Sequence, residues 1–277
     1  MPEEGKDILF SSKRKALHYL IRNMHSILVA FSGGVDSTFL LKDAADVLGK
    51  KKVLAVTARS ETYPEREYNE ACSLAQNIGV RHITVETSEL ENPGFTGNPP
   101  DRCYYCKKEL FTQLSRIAEQ ENIAVIADGA NADDADDFRP GAKAARELGV
   151  RSPLNEAGLT KEEIRILSRQ LGLPTWDKPP FACLSSRFPY GDPITAEGLT
   201  MIEQAETYIS ELGFRQVRVR HHGLLARIEV EPEDIEKICS SEMRTRITDE
   251  FRRIGYQYVT VDMQGYRIGS MNEVLGA

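Results

Sequence analysis

Positive charge is the minority sign in this chain: 35 lysines and arginines stand against 42 aspartates and glutamates, a formal net charge of -7. That balance excludes a generally nucleic-acid-binding surface, though not a local basic patch. Long apolar runs are missing as well. No uninterrupted stretch reaches the roughly 20 residues that span a bilayer. The opening, MPEEGKDILF, has neither the basic region nor the apolar run of a secretory signal. The expected location is therefore the cytoplasm, with no membrane partner and with thiols kept reduced. Cysteines number five, an odd count with uneven spacing, which argues against a disulfide framework. No second Cys-x-x-C is present to complete a four-ligand zinc knuckle. Internal repeats and low-complexity tracts are absent too.

What is present reads as an ordinary globular chain of 277 residues, long enough for one large domain and a smaller one. Up to about residue 175, helical spacing alternates with short apolar runs. SILVAFS, VLAVTARS, RHITVETSE and IAVIADGAN read as strands. ALHYLIRNM, STFLLKDAADVLGK and PEREYNEACSLAQNIG read as helices, the second stopped by Gly49 and the third opened by Pro64 and closed by Gly79. A further helix is predicted from about Asp101 to Glu121. Near-continuously apolar strands separated by helices predict a doubly wound α/β fold, a parallel sheet covered on both faces. Ligands of such sheets sit beyond the carboxyl ends of the strands. The proline-rich stretch 179–195 reads as a linker and active-site segment. After it, AEGLTMIEQAETYISELG predicts a helix, FRQVRVR and LLARIEVE two strands, PEDIEKICS and MRTRITDEFRRIG helices, and YQYVTVDMQG a last strand. The expected domains are 1–178 for nucleotide binding and 196–277, a small α+β domain, for substrate.

AFSGGVDST, at the junction of the first strand and its helix, carries the strongest local chemistry. Gly33 and Gly34 permit a tight turn whose N–H groups converge on an anion, Ser37 adds a hydroxyl, and the helix N-terminus adds partial positive charge. The Gly-Lys-Ser/Thr ending of a Walker loop is missing. Asp36 beside phosphates requires an intervening cation, so Mg²⁺ is expected there.

The string SGGVDS resembles the PP-loop of the ATP pyrophosphatases, enzymes that cleave ATP between its α and β phosphates and adenylylate a substrate. ADGANADDADDFRPG, the run PLNEAGLTKEEIRILSRQLGLPTWDKPPFACLSSRFPYG, and GYRIGSMN narrow the likeness. Together they are similar to the LarE family of ATP-dependent sulfur transferases, which make the nickel-pincer nucleotide of lactate racemase. The resemblance implies an adenine-nucleotide fold in which Ser32, Gly33, Gly34, Asp36 and Ser37 hold the pyrophosphate. It makes Asp128, Gly129, Asn131 and Asp134 contacts to ATP or Mg²⁺, with a solvated acidic turn as the plainer alternative.

Cys103 and Cys106 open a helix beside Lys107 and Lys108, a setting that favours thiolates. A redox pair fits that local picture. Some members of the resembled family sacrifice the sulfur of one cysteine, which Cys183 matches, and become dehydroalanine. Others hold a 4Fe-4S cluster on three cysteines, and Cys103, Cys106 and Cys183 make such a trio, leaving one iron open to exogenous sulfide. The cluster type is the expectation and the sacrificial type its alternative. Cys72 and Cys239 are expected to be small buried hydrophobes.

Arg218 and Arg220 alternate with Val217 and Val219, so both leave one face of a strand, and a bidentate anion would join them. The plainer reading pairs them with Glu229. The resemblance adds Arg187 and Arg267 as contacts to a substrate phosphate. His221 and His222 are expected at a polar turn, and Trp176 in packing. The implied reaction adenylylates a carboxylate of a pyridinium dicarboxylate mononucleotide with ATP and Mg²⁺, after which a sulfur nucleophile displaces AMP. The sulfide donor is not specified by the sequence, and a homo-oligomer is implied by resemblance alone. A PP-loop tRNA thiolase and a non-catalytic iron or nucleotide sensor are the competing readings.

Overall fold

The computed structural model describes residues 3–136, 140–267 and 269–275. Asp137, Phe138, Arg139 and Ile268, which belong to two of the strings quoted above, lie outside the described residues. The chain divides into two compact units, Met1–Thr87 with Cys103–Pro180, and Ser88–Arg102 with Phe181–Ala277.

The first unit begins with helix α1 (Glu3–Met24), strand β1 (Ile27–Ala30) and helix α2 (Val35–Leu48). Strand β2 (Val53–Arg59), helix α3 (Glu65–Ile78) and strand β3 (Arg81–Glu86) follow. After a short helix α4 (Pro93–Thr96), which belongs to the second unit, come helix α5 (Arg102–Gln120) and strand β4 (Val125–Ala127). Helices α6 (Pro140–Glu147), α7 (Pro153–Glu156) and α8 (Lys161–Gln170) complete it.

The four strands form one sheet in the order β3-β2-β1-β4, and every pairing is parallel. Because side chains alternate along a strand, each strand feeds two cores. Ile27 and Val29 of β1 and Val53 and Ala55 of β2 pack with Leu17, Phe39, Leu74 and Leu167 from α1, α2, α3 and α8. Leu28, Leu54 and Val56 point the other way, to Phe111 and Leu114 of α5 and Ala145 of α6. That two-sided burial is why the strands read as continuous apolar runs rather than as alternating ones. The helix stops fall where glycine predicts: Gly49 (φ 85°) ends α2 and Gly79, left-handed at φ 79°, ends α3. Thr160 and Glu163 form a reciprocal capping box that starts α8.

The second unit carries helix α9 (Ala196–Glu211), strands β5 (Val217–His222) and β6 (Leu225–Val230), helices α10 (Ile235–Ile238) and α11 (Ser241–Ile254), and strand β7 (Tyr258–Val261). Its sheet runs β5-β6-β7, the first pair antiparallel and the second parallel. Val217, Val219, Ala226 and Ile228 form its core with Ile209, Phe214, Phe251 and Tyr256. A 3-10 helix, Leu184–Arg187, lies inside the segment read from sequence as linker.

Residues 88–102, placed by the sequence reading within 1–178, group with the second unit. Gly191 donates its N–H to the Asn98 carbonyl (3.0 Å), Ile194 donates to that of Thr96 (2.9 Å), and Asn98 Nδ2 donates to that of Pro189 (2.6 Å). These bonds join segments about ninety positions apart, a pairing that no local periodicity announces. Among the described residues no helix is long and apolar enough to cross a membrane.

Phe111 is fully buried in the second layer. Phe111→Ala is expected to cost about 3–5 kcal/mol, read from the urea midpoint of the whole chain. A change below about 1 kcal/mol would contradict this packing.

Candidate functional site

Strand order reverses at β1, with β2 and β3 on one side and β4 on the other, so the carboxyl ends of β1 and β4 flank the place where an open α/β sheet binds ligand. The chain leaves β1 into Ser32, Gly33 and Gly34. Gly33 has φ +62°, and a Cβ there would lie 3.0 Å from the Ala71 Cβ on α3. Gly34 is the N-cap of α2 and offers no side-chain cap, so the first N–H groups of the helix are left for an anion. Ser37 Oγ donates to the Gly34 carbonyl (3.3 Å) and lies 3.2 Å from Ser32 Oγ. At the end of β4, a Cβ on Gly129 would meet the Ser37 nitrogen at 2.9 Å. Glycine is what lets the two strand ends close on one backbone cradle.

Asp36 stands in the first turn of α2, beside the cradle. Its Oδ2 receives Lys161 Nζ at 2.5 Å, while its Oδ1 is buried and has no hydrogen-bond partner. Burial raises its pKa above the usual aspartate value; Lys161 opposes the shift and the Asp134 charge adds to it. Two carboxylates close enough to repel, beside donors suited to phosphate, fit Mg²⁺ with a polyphosphate.

The other expected residues of this region are mostly spent on the turn itself. Asp128 Oδ1 accepts from Ser152 Oγ (2.7 Å) and from the Ala130 N–H (3.2 Å). Asn131, almost fully buried, accepts from the Asp133 N–H (2.9 Å) and donates its own N–H to Asp134 Oδ2 (3.0 Å). These side chains shape the loop after β4.

Two groups that sequence reasoning left unassigned adjoin the cradle. Lys161 is one. Lys178 is the other: its Nζ donates to the Gly33 carbonyl (3.3 Å) and pairs with Glu67 (2.7 Å) and Glu70 (2.8 Å) of α3. Arg165 of α8 holds the backbone below it, donating to the carbonyls of Trp176 and Lys178, both at 2.7 Å. Tyr63 donates its hydroxyl to the Ser32 carbonyl (2.8 Å), and burial beside Glu67 and Glu70 drives its pKa up, so it stays a donor. The available signal was lysine within quoted strings, TKEEIR and WDKPP, without a spacing rule to assign it. Trp176 is 37% exposed, its ring under the Arg169 guanidinium at 4.9 Å.

Cys103 and Cys106 stand on the first turns of α5, the former exposed and the latter half-buried. In the second unit Cys183 caps the 3-10 helix, its Sγ 2.8 Å from Ser185 Oγ. Among the described residues no three His, Cys, Asp or Glu side chains form a group that could hold a metal ion. Cys72 is half-buried on α3, whereas Cys239 is exposed, contrary to the expectation of burial, because α10 ends there after one turn.

The arginines divide by partner. Arg187 is fully buried: Nε and Nη2 donate to Glu206 at 2.8 Å each, and Nη1 donates to the carbonyls of Ala182 (2.6 Å) and Cys183 (3.0 Å). Its ion pair holds the Glu206 carboxyl below its ordinary range against the opposing pull of burial. Arg220 forks onto Glu229 (2.9 and 2.6 Å) and donates to the Ser186 carbonyl (3.1 Å), so the plainer sequence reading holds for it. Arg267 lies nearer the surface with Glu273 at 3.3 Å. Arg218 differs. It is 7% exposed, stacks on Tyr266 at 5.2 Å, and burial, with Arg187 nearby, lowers its pKa to about 10. Its Nη1 also donates to the Val217 carbonyl (2.7 Å). His221 is half-buried between Phe188 and Tyr256, with burial lowering its pKa, so it is not the plain surface histidine expected.

The NAD synthase family model matches residues 14–93, the stretch that contains Gly33, Gly34, Asp36 and Ser37. A pyridinium-3,5-bisthiocarboxylic acid mononucleotide synthase of Lactiplantibacillus plantarum is 38% identical over 265 residues, covering 96% of this chain and 95% of the relative. The chain belongs to that synthase's family, LarE. It is thus an ATP-using sulfurtransferase of the PP-loop class. The uncharacterized protein slr1717 of Synechocystis is 45% identical over 96% of this chain and 99% of its own, and the uncharacterized protein MJ0830 of Methanocaldococcus jannaschii is 29% identical over 87% and 90%.

In this LarE chain the raised Asp36 pKa means that the folded state binds the proton more tightly than the unfolded state. That contribution to stability is present at low pH and is lost as pH rises through the folded pKa. Asp36→Asn is therefore expected to leave the ligand-free protein at least as stable as wild type at neutral pH, and to abolish the rise in Tm caused by ATP with Mg²⁺. A variant that keeps the full MgATP shift in differential scanning fluorimetry would remove Asp36 from the cation site.

Proposed function

We propose that this chain uses ATP and Mg²⁺ to adenylylate a carboxylate of pyridinium-3,5-biscarboxylic acid mononucleotide, releases pyrophosphate, and converts the acyl-adenylate to the thiocarboxylate precursor of the nickel-pincer nucleotide. The observation that carries the reading is the cradle of Gly33, Gly34, Ser37 and Gly129 beside Asp36, whose Oδ1 is buried without a hydrogen-bond partner, in a chain aligned over nearly its whole length with a synthase of the bisthiocarboxylic acid product. The chemistry requires activation because a carboxylate oxygen is a poor leaving group, whereas AMP departs readily. In this reading the α2 N-terminus orients the pyrophosphate being expelled, and Lys161 and Lys178 supply compensating charge beside it. Arg218 takes the substrate phosphate.

For the sulfur, the soft thiolate donors Cys103, Cys106 and Cys183 suit a 4Fe-4S cluster, which when bound supplies an open iron site for sulfide. The protein's part is to keep one ligand position free. A second reading is supported by the setting of Cys183, hydrogen-bonded to Ser185 with its carbonyl fixed by Arg187. In it the Cys183 thiolate attacks the acyl-adenylate and AMP leaves. Elimination of the Cβ–S bond, with loss of the Cα proton, then yields the thiocarboxylate and dehydroalanine.

Pyrophosphate release should depend strictly on the pyridinium dicarboxylate nucleotide. No release with that substrate would overturn the proposal. Anaerobically purified wild type should carry iron and acid-labile sulfide in near-equal amounts, lost in Cys103→Ala, Cys106→Ala and Cys183→Ala. Iron-free protein whose Cys183 loses the elements of H₂S during turnover, seen by mass spectrometry, would replace the cluster reading with the sacrificial one.

A further inference from the structure

Among the buried arginines of the second unit, Arg187 meets a glutamate, as does Arg220. Among the described residues, Arg102 does not. It is 5% exposed at the start of α5, and its guanidinium stacks on the Tyr190 ring at 4.7 Å. Its Nε and Nη1 are buried and donate to no acceptor. Four residues earlier, Asn98 is wholly buried, with a left-handed φ of 52°. Asn98 Nδ2 donates to the carbonyls of Phe188 (3.4 Å) and Pro189 (2.6 Å), while its Oδ1 is also buried without a partner. One turn of chain, 98–102, thus presents unmade donors and an unmade acceptor, and both residues bear on segment 188–190, which directly follows the Cys183 helix.

Burying a guanidinium with unmade hydrogen bonds is unfavourable, and native proteins leave few such groups unsatisfied. Arg187 and Arg220, equally buried in the same unit, each hold a glutamate by two bonds. Charge balance therefore asks for an anion at Arg102. The ring of Tyr190 fixes the plane of the guanidinium, whose fork can meet a carboxylate edge-on by two parallel bonds.

We propose that Arg102 is a substrate-binding residue that takes a ring carboxylate of the pyridinium nucleotide, with Tyr190 and Asn98 holding it in place. This rests on the substrate reading given under Proposed function and deepens it. Arg102 selects the carboxylate, and Arg218 the phosphate.

The test is isothermal titration of the full chain with pyridinium-3,5-biscarboxylic acid mononucleotide, with nicotinamide mononucleotide, which carries the same ribose phosphate and a single ring carboxamide in place of the two acids, and with ATP. Arg102→Met is expected to weaken the dicarboxylate nucleotide by about tenfold or more, leaving nicotinamide mononucleotide and ATP unchanged. Arg102→Lys, which keeps the charge and loses the planar fork, should fall between, and it decides the matter if Arg102→Met also loses ATP binding. Equal weakening of both nucleotides, or no weakening of either, overturns the assignment while leaving the substrate reading intact. Wild type that binds ATP but not the dicarboxylate nucleotide overturns the substrate reading and this assignment with it.

Discussion

The nucleotide end of this protein rests on one close approach of backbone to backbone. The exit of β4 at Gly129 lies against the Ser37 nitrogen at the start of α2, with no room for a Cβ between them. That contact aligns the N–H groups of the helix with the end of β1, and it places Asp36 where its second oxygen is shut away from water. The two apolar layers of the sheet serve the same end: Ile27 and Val29 on one face and Leu28 on the other fix the height and direction at which β1 releases the chain into the turn.

Charge in the second unit works differently. There Arg187 and Arg220 are ordered by bidentate carboxylates, and the order reaches Cys183. Glu206 pins Arg187, Arg187 holds the carbonyls on either side of the Ala182–Cys183 bond, and Glu206 also accepts the Val219 N–H (2.8 Å), coupling the helix of Cys183 to β5. A residue matched by resemblance to a phosphate contact is thus found shaping the backbone around a sulfur. In the proposed reaction this frame would present Cys183 at a fixed angle.

Much of the first unit was legible because its signals are local. Apolar runs of four to seven residues, glycine stops at Gly49 and Gly79, and the Ser-Gly-Gly-Val-Asp-Ser turn each announce themselves within one element. The alternation of Val217 and Val219 with Arg218 and Arg220 likewise gave the face of β5. Illegible were the facts that depend on partners far along the chain: that Arg220 chooses Glu229, that Lys178 reaches the Gly33 carbonyl, and that Asn98 binds the turn after Phe188. Cys239 was misjudged because Ile235 and Ile238 suggested a buried helical face, whereas the helix ends before the cysteine.

The excursion of residues 88–102 has a topological effect. The polypeptide passes from one unit to the other three times, after Thr87, after Arg102 and after Pro180. Neither unit is a contiguous gene segment, so neither can be transplanted, duplicated or expressed alone by a single cut. Selection on such an enzyme must act on both bodies together.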